Sequence, residues 1–296
     1  MDKAQDVALL ARFLRGYSAE VTNPSRTALD DAASLMPQNA PVYIAALAKH
    51  TTDHQVHLAR EVRDAGLRPV PHIVARHIES TAALDEYLQR MATEAEVDRA
   101  LVLGGDRDTP KGCFGAASDL LKTGLFPKHG IKKVAFAGYP EGHPKISDQD
   151  LEQALREKIA VGKEQGLDMR LITQLCFDAD AIIRFVRALR TFDESTRVRI
   201  GVSGPVKRAT LIKFAAICGV GASLRTLRDR PSTAKKLLAG ETPDELLTQL
   251  GRAQEAEPKL GIIGPHFYTF SALRNTIVWA EKILESAVVP DQAVGG

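Results

Sequence analysis

A (β/α)8 barrel, of the TIM type, is the fold class this sequence predicts, and three observations predict it. Short β-rich apolar runs alternate with longer stretches whose apolar residues recur at three- and four-residue spacing, the order expected of parallel strands joined by crossover helices. Eight such runs occur in the 296 residues, whereas an open doubly wound sheet ordinarily has about five or six strands. Polar residues cluster just after the runs, where the active end of a closed parallel barrel lies. One catalytic barrel domain over residues 1–296 is the expectation.

In chain order, a charged start leads into an amphipathic stretch, read as an N-terminal helix over 1–15. Strands are expected at 17–21, 42–46, 69–74, 100–103, 133–137, 170–174, 198–203 and 261–266. Helices are expected at 52–65, 81–91, 148–162, 178–189 and 211–218, each with one apolar face. Ser80 and Asp178 are candidate N-caps, and Gly66 and Gly219 suit the left-handed position that ends a helix. The more polar segment 221–256 has Pro231 and Pro243 placed as helix-start residues, and reads as extra short helices between strands seven and eight. Residues 288–296 read as a disordered tail.

Composition narrows the function classes. The chain is 44% hydrophobic and 26% charged, enough for a sizeable core, and no run approaches the roughly 18 apolar residues of a membrane span. The start lacks the apolar segment of a secretory leader, so a cytoplasmic location with no membrane partner is expected. A net charge of +2 with both signs interspersed gives no field for nucleic acid. Cys113, Cys176 and Cys218 are far apart and read as reduced, packed thiols. His50, His54 and His57 share helical spacing but lack the glutamate of a metalloprotease pattern, so no metal site is expected.

Glu20, His72, Asp106, Tyr139, His143, Gln174 and His266 fall at or just beyond strand ends. A carboxyl such as Glu20, at the end of a half-buried strand, is expected to have its pKa raised by desolvation, as a general acid needs. Gly104-Gly105-Asp106 gives a backbone that a large planar ligand or its phosphates can approach, beside a fixed acceptor. It is not the dinucleotide-binding glycine fingerprint.

Three segments in order, Tyr139-Pro140-Glu141-Gly142-His143-Pro144, Ile172-Thr173-Gln174-Leu175-Cys176-Phe177-Asp178 and His266-Phe267-Tyr268-Thr269, resemble the methylenetetrahydrofolate reductases. Glu20, Pro71-His72 and Gly105-Asp106 extend the resemblance over nearly the whole chain. It implies FAD at the strand ends and a ping-pong exchange in which NAD(P)H and tetrahydrofolate derivatives meet the flavin in turn. By resemblance, Glu20 is the general acid towards N10 and Asp106 the aspartate near pterin and flavin, while Gln174 hydrogen-bonds the folate. His72, Gly105, Asp106, Tyr139, His143, Lys158 and Tyr268 are the flavin contacts.

Departures from the family pattern thin these contacts. Ala45-Ala46-Leu47 replaces a threonine followed by an aromatic, Gly104 replaces an arginine, and Leu151 replaces an aspartate seven residues before the lysine. Gly204-Pro205-Val206 stands where a phenylalanine can meet the nicotinamide. The folate site is thus better retained than the nicotinamide site, which keeps the methyltetrahydrofolate-oxidising direction open. A folate-binding methyltransferase barrel and a noncatalytic folate or flavin binder are the alternatives, and a homo-oligomer is expected by resemblance only.

Overall fold

The computed structural model describes residues 3–217, 220 and 242–287. Eight parallel strands close into a barrel in sequence order: β1 (Ser18–Val21), β2 (Pro41–Ile44), β3 (Arg68–Val74), β4 (Arg99–Leu103), β5 (Lys133–Gly138), β6 (Asp168–Thr173), β7 (Arg197–Ser203) and β8 (Ile262–Tyr268). The register Ser18↔His266 and Glu20↔Tyr268 joins last strand to first, so no sheet edge is left to pair with another chain.

Around the barrel run α1 (Lys3–Leu14), α2 (Arg26–Leu35), α3 (Thr52–Asp64), α4 (Thr81–Ala95), α5 (Ala117–Lys122), α6 (Leu125–Lys128), α7 (Asp148–Glu164), α8 (Ala179–Arg190), α9 (Arg208–Ile217), α10 (Asp244–Ala256) and α11 (Leu273–Ser286). Strand side chains alternate between two apolar environments, as the two-residue period requires. Ile44, Ile73, Val102, Phe136 and Leu171 join the large cluster shared with the helices. Tyr43, Val70, Leu101, Ala135 and Ile172 form a separate cluster inside the barrel. Each Val, Leu, Ile or Phe among them, taken fully out of water, contributes about 1.5–3 kcal/mol.

Helix ends follow local chemistry. Ser80 Oγ accepts from Ala83 N–H at 3.1 Å, and Asp178 Oδ1 accepts from the amides of Asp180 and Ala181 at 2.9 and 3.2 Å. Gly66 has φ +82° after α3, the left-handed backbone expected of it. The elements not anticipated are α2, α5, α6 and α11; α5 and α6 span one turn or so and cannot display a helical period. β8 runs two residues beyond its expected end and β2 stops two short. Of the expected helices between the last two strands, α10 after Pro243 is described, whereas 221–241, Gly219 and the tail at 288–296 lie outside the described residues. Cys176 is buried as expected, Cys113 is exposed, and Cys218 lies outside the described residues. Among the described residues no helix is long and apolar enough to cross a membrane.

Candidate active site

The carboxyl end of the barrel gathers the predicted residues into two groups. In the first, β1, β3 and β8 bring Glu20 between two imidazoles. His72 Nε2 lies 3.1 Å and His266 Nε2 3.5 Å from Glu20 Oε2. On its far side the His266 ring meets Ser18 Oγ through Nδ1 at 2.9 Å, which leaves Nε2 turned to the carboxylate. His266 and Ser18 are fully buried, so this orientation is held by packing. Thr269 Oγ1 donates to the Glu20 backbone carbonyl at 2.7 Å and steadies the strand end.

The ionisation of Glu20 departs from expectation. Burial does raise its proton affinity, but the charge of His72 and the close approach of both imidazoles outweigh that, and the pKa is lowered to about 2. Desolvation pushes His266 below the ordinary histidine range, with Glu20 opposing it. The expected raised pKa is therefore corrected: the resting carboxyl is ionised, because two ring nitrogens from strands distant in sequence face it.

The second group surrounds a cavity of about 950 Å³ bounded by the β4 and β5 ends and by α7 and α8. Gly105, Asp106, Tyr139, His143 and Lys158 all line it. The Tyr139 and His143 rings meet edge to face with centroids 5.2 Å apart. Lys158, one of the buried polar residues, reaches back from α7 to the Ala137 carbonyl at 3.4 Å, a long hydrogen bond. Burial pulls its pKa down to about 8, with Glu157 opposing. A buried ammonium so weakly matched is suited to an anionic group.

The loop after β4 forms one wall and is stitched to the loop after β3. Arg76 donates through Nε to the Gly115 carbonyl at 2.9 Å and through Nη1 to the Arg107 carbonyl at 2.7 Å. Gly105 has φ +101°, and a Cβ there would strike Val74, so glycine is required. At Gly104, where the family pattern has arginine, a Cβ would meet nothing. Asp106 is 86% exposed, with His77 Nε2 at 3.8 Å; its carboxylate faces solvent and not the Glu20 group.

Gln174 and Tyr268 complete the mouth. The Gln174 side-chain oxygen accepts from Leu175 N–H at 2.8 Å, which turns its NH2 donors away from that contact. Tyr268 OH donates to the Thr173 carbonyl at 3.0 Å, and its ring meets His266 edge-on at 5.1 Å. His72 faces Glu20 and is not among the residues that line the cavity. Phe214 and Phe270, which the sequence did not single out, lie parallel at 4.1 Å, with Phe270 also parallel to Tyr268 at 6.1 Å. Phe270 and Ser271 both have positive φ, +47° and +70°, a strained conformation for non-glycine residues of the kind that gathers at ligand sites. Of the histidines considered for metal, His50 and His54 touch ring to ring at 4.4 Å, while His57 is exposed.

The cavity and Lys158 fit a dinucleotide-sized anionic cofactor. Its volume lies at the upper end of the roughly 300–1,000 Å³ of small-molecule sites, and its walls combine apolar surface with one buried cation. The family model described as methylenetetrahydrofolate reductase matches residues 15–224. One solved structure, DHDPS from Cyanidioschyzon merolae with lysine bound, is similar with a TM-score of 0.44 and 11% identity, over 92% of this chain and 99% of that one.

Proposed function

This chain belongs to the methylenetetrahydrofolate reductase family, and we propose that it interconverts 5,10-methylenetetrahydrofolate and 5-methyltetrahydrofolate with FAD as cofactor and NAD(P)H or NAD(P) as redox partner. The observation that carries this reading is Glu20 held between His72 and His266 at the same end of the barrel as a cofactor-sized cavity. FAD, when bound, supplies the hydride exchange between nicotinamide and folate carbon. Lys158 holds a phosphate, and Gly105, Tyr139 and His143 border the cofactor.

Glu20 manages the proton at N10. Ring closure in the oxidising direction releases that proton, and an ionised carboxylate is the base ready to take it. Ring opening in the reducing direction needs the proton returned; the two imidazoles, 3.1 and 3.5 Å from the carboxylate, are placed to relay it. Gln174 donates to the pterin edge, and Asp106, once turned inward from its solvent-facing position, favours the iminium cation. The parallel Phe270 and Phe214 rings offer a face to the planar part of the substrate.

The deciding experiment is anaerobic titration of FAD-loaded protein with NADH, NADPH and methyltetrahydrofolate, following the flavin absorbance. Bleaching by methyltetrahydrofolate and by one nicotinamide supports the reading and identifies the partner. A protein that binds FAD and folate without bleaching is a carrier. One that takes folate but no FAD, and passes its methyl group to a thiol or corrinoid, is a methyltransferase. Either result overturns the proposal.

A further inference from the structure

Among the described residues, the opposite end of the barrel carries more positive charge than its carboxylates neutralise. Arg68, Arg99, Lys133 and Arg170 stand two residues before Val70, Leu101, Ala135 and Ile172, which lie inside the barrel, so the two-residue period turns all four inward beneath that layer. Arg199, on β7, joins them: its charge and those of Arg99 and Arg170 act together on the phenol of Tyr43.

Among the described residues two carboxylates serve these five cations. Asp98 meets Arg68 at 2.9 Å, Arg99 at 3.0 Å and Lys133 at 3.9 Å, and Asp168 meets Arg170 at 3.2 Å. Arg199 has neither. It is 8% exposed, and among the described residues its one hydrogen bond runs from Nη1 to the Pro265 carbonyl at 3.3 Å. Arg170 Nε is buried without a partner. The strand register adds to the imbalance by setting Arg99 beside Lys133 and Arg170 beside Arg197, like-charge neighbours that destabilise a sheet.

A buried guanidinium without a counter-charge is costly. Burial pulls the Arg199 pKa down to about 10, and Arg170 and Arg99 add to that while Tyr43 opposes it. Planar guanidinium forks turned inward from β4, β6 and β7 match a compact oxygen anion, which accepts several charge-assisted hydrogen bonds at once. We propose that the floor of the barrel, at Arg99, Arg170 and Arg199, binds a small inorganic oxyanion of the phosphate or sulfate class.

The test is calorimetric titration of the full chain with inorganic phosphate, and separately with sulfate, against chloride at matched ionic strength. Low millimolar concentrations keep the general salting effect of these anions small. Saturable binding of one oxyanion, with a rise in Tm over chloride, is expected for the wild type. Arg199→Met should weaken that binding by about tenfold or more, the loss expected when a charged hydrogen-bonding partner is removed. Without phosphate it should be no less stable than the wild type. Should Arg199→Met not fold, Arg170→Met carries the same expectation. Lys158→Met separates the floor from the cavity at the other end. Binding retained in Lys158→Met and lost in Arg199→Met supports the floor site, and the reverse pattern overturns it. Phosphate and sulfate indistinguishable from chloride also overturn it.

Discussion

At Glu20 the side chain's neighbours, not its own burial, decide its protonation. Glu20→Gln should reduce folate turnover by about 10²–10⁴-fold, the range of acid–base contributions, while reduction of the bound flavin by nicotinamide continues. Stopped-flow measurement of the two half-reactions separates them. The linkage has a definite sign. A carboxyl depressed to about 2 stabilises the fold above its unfolded pKa of about 4.3 and loses that contribution as pH falls towards 2. The stability gap between wild type and Glu20→Gln should therefore close between about pH 4.5 and 2 in denaturant titrations. NMR should show a further drop in the His266 pKa in the variant, since Glu20 is what supports its charged form; an unmoved His266 would contradict the cluster. Lys158 behaves oppositely. With its pKa lowered to about 8, the folded ligand-free protein binds fewer protons than the unfolded chain between pH 8 and 10.5, so stability rises with pH in that window. The gain is up to about 3 kcal/mol, and Lys158→Met should lack this rise, lose affinity for FAD and keep its fold at neutral pH.

Among the elements, the loop between β4 and α5 is the one whose shape controls the cavity. Gly112 touches the backbone of Glu79 so closely that an added Cβ would overlap its carbonyl. Lys111 N–H bonds to the Arg76 carbonyl at 3.1 Å, so the loop cannot slide away without breaking that link. Gly112→Ala should cost about 1–3 kcal/mol, as overpacking does, and weaken cofactor binding together with stability in urea unfolding and FAD titration. An unchanged midpoint with full FAD affinity would show that the loop yields freely. Asp178→Ala should cost about 1 kcal/mol through loss of the α8 cap. Elements with a strong local pattern were legible in the sequence: the eight apolar runs, the Ser80 and Asp178 caps and the Gly66 turn. Short α5 and α6 carry too few residues for a period, and β8 runs past its expected end at His266 because Phe267 and Tyr268 still pair with β1 and β7. Asp106, Tyr139 and His143 at the cavity were legible as strand-end polar positions, whereas Lys158, inside α7, came only through the family resemblance. The state of Glu20 was not, since it depends on His266 arriving from the far end of the chain, and neither was Phe270, whose role rests on a left-handed backbone and a partner ring on α9.

For the molecule as a whole, the first helix and the last described strand-and-helix pair close the structure together. α1 packs against β8, α10 and α11, with Leu9, Leu10, Phe13 and Leu14 all buried. Gly251 on α10 makes the approach close, for a Cβ there would sit 3.4 Å from Leu9. The exposed pair Arg12–Glu255 at 2.6 Å borders this contact and contributes little, as surface pairs do. The four apolar side chains together contribute about 6–12 kcal/mol, comparable with the roughly 5–15 kcal/mol that holds a whole protein folded. Removal of residues 1–15 should therefore abolish cooperative unfolding, although every residue of the candidate active site remains. The lone tryptophan is placed to report it: Trp279 on α11 stands edge to face with Phe267 of β8, centroids 5.6 Å apart. Its fluorescence should shift red in the truncated chain without denaturant, with dye-binding apolar surface exposed. Leu14→Ala, a milder change at a fully buried position, should keep the cooperative transition and lower its stability by about 2–5 kcal/mol. A truncated chain with an unshifted Trp279 spectrum and an unchanged Tm would mean that the barrel closes without α1, and that β1 and β8 hold together on their own ladder.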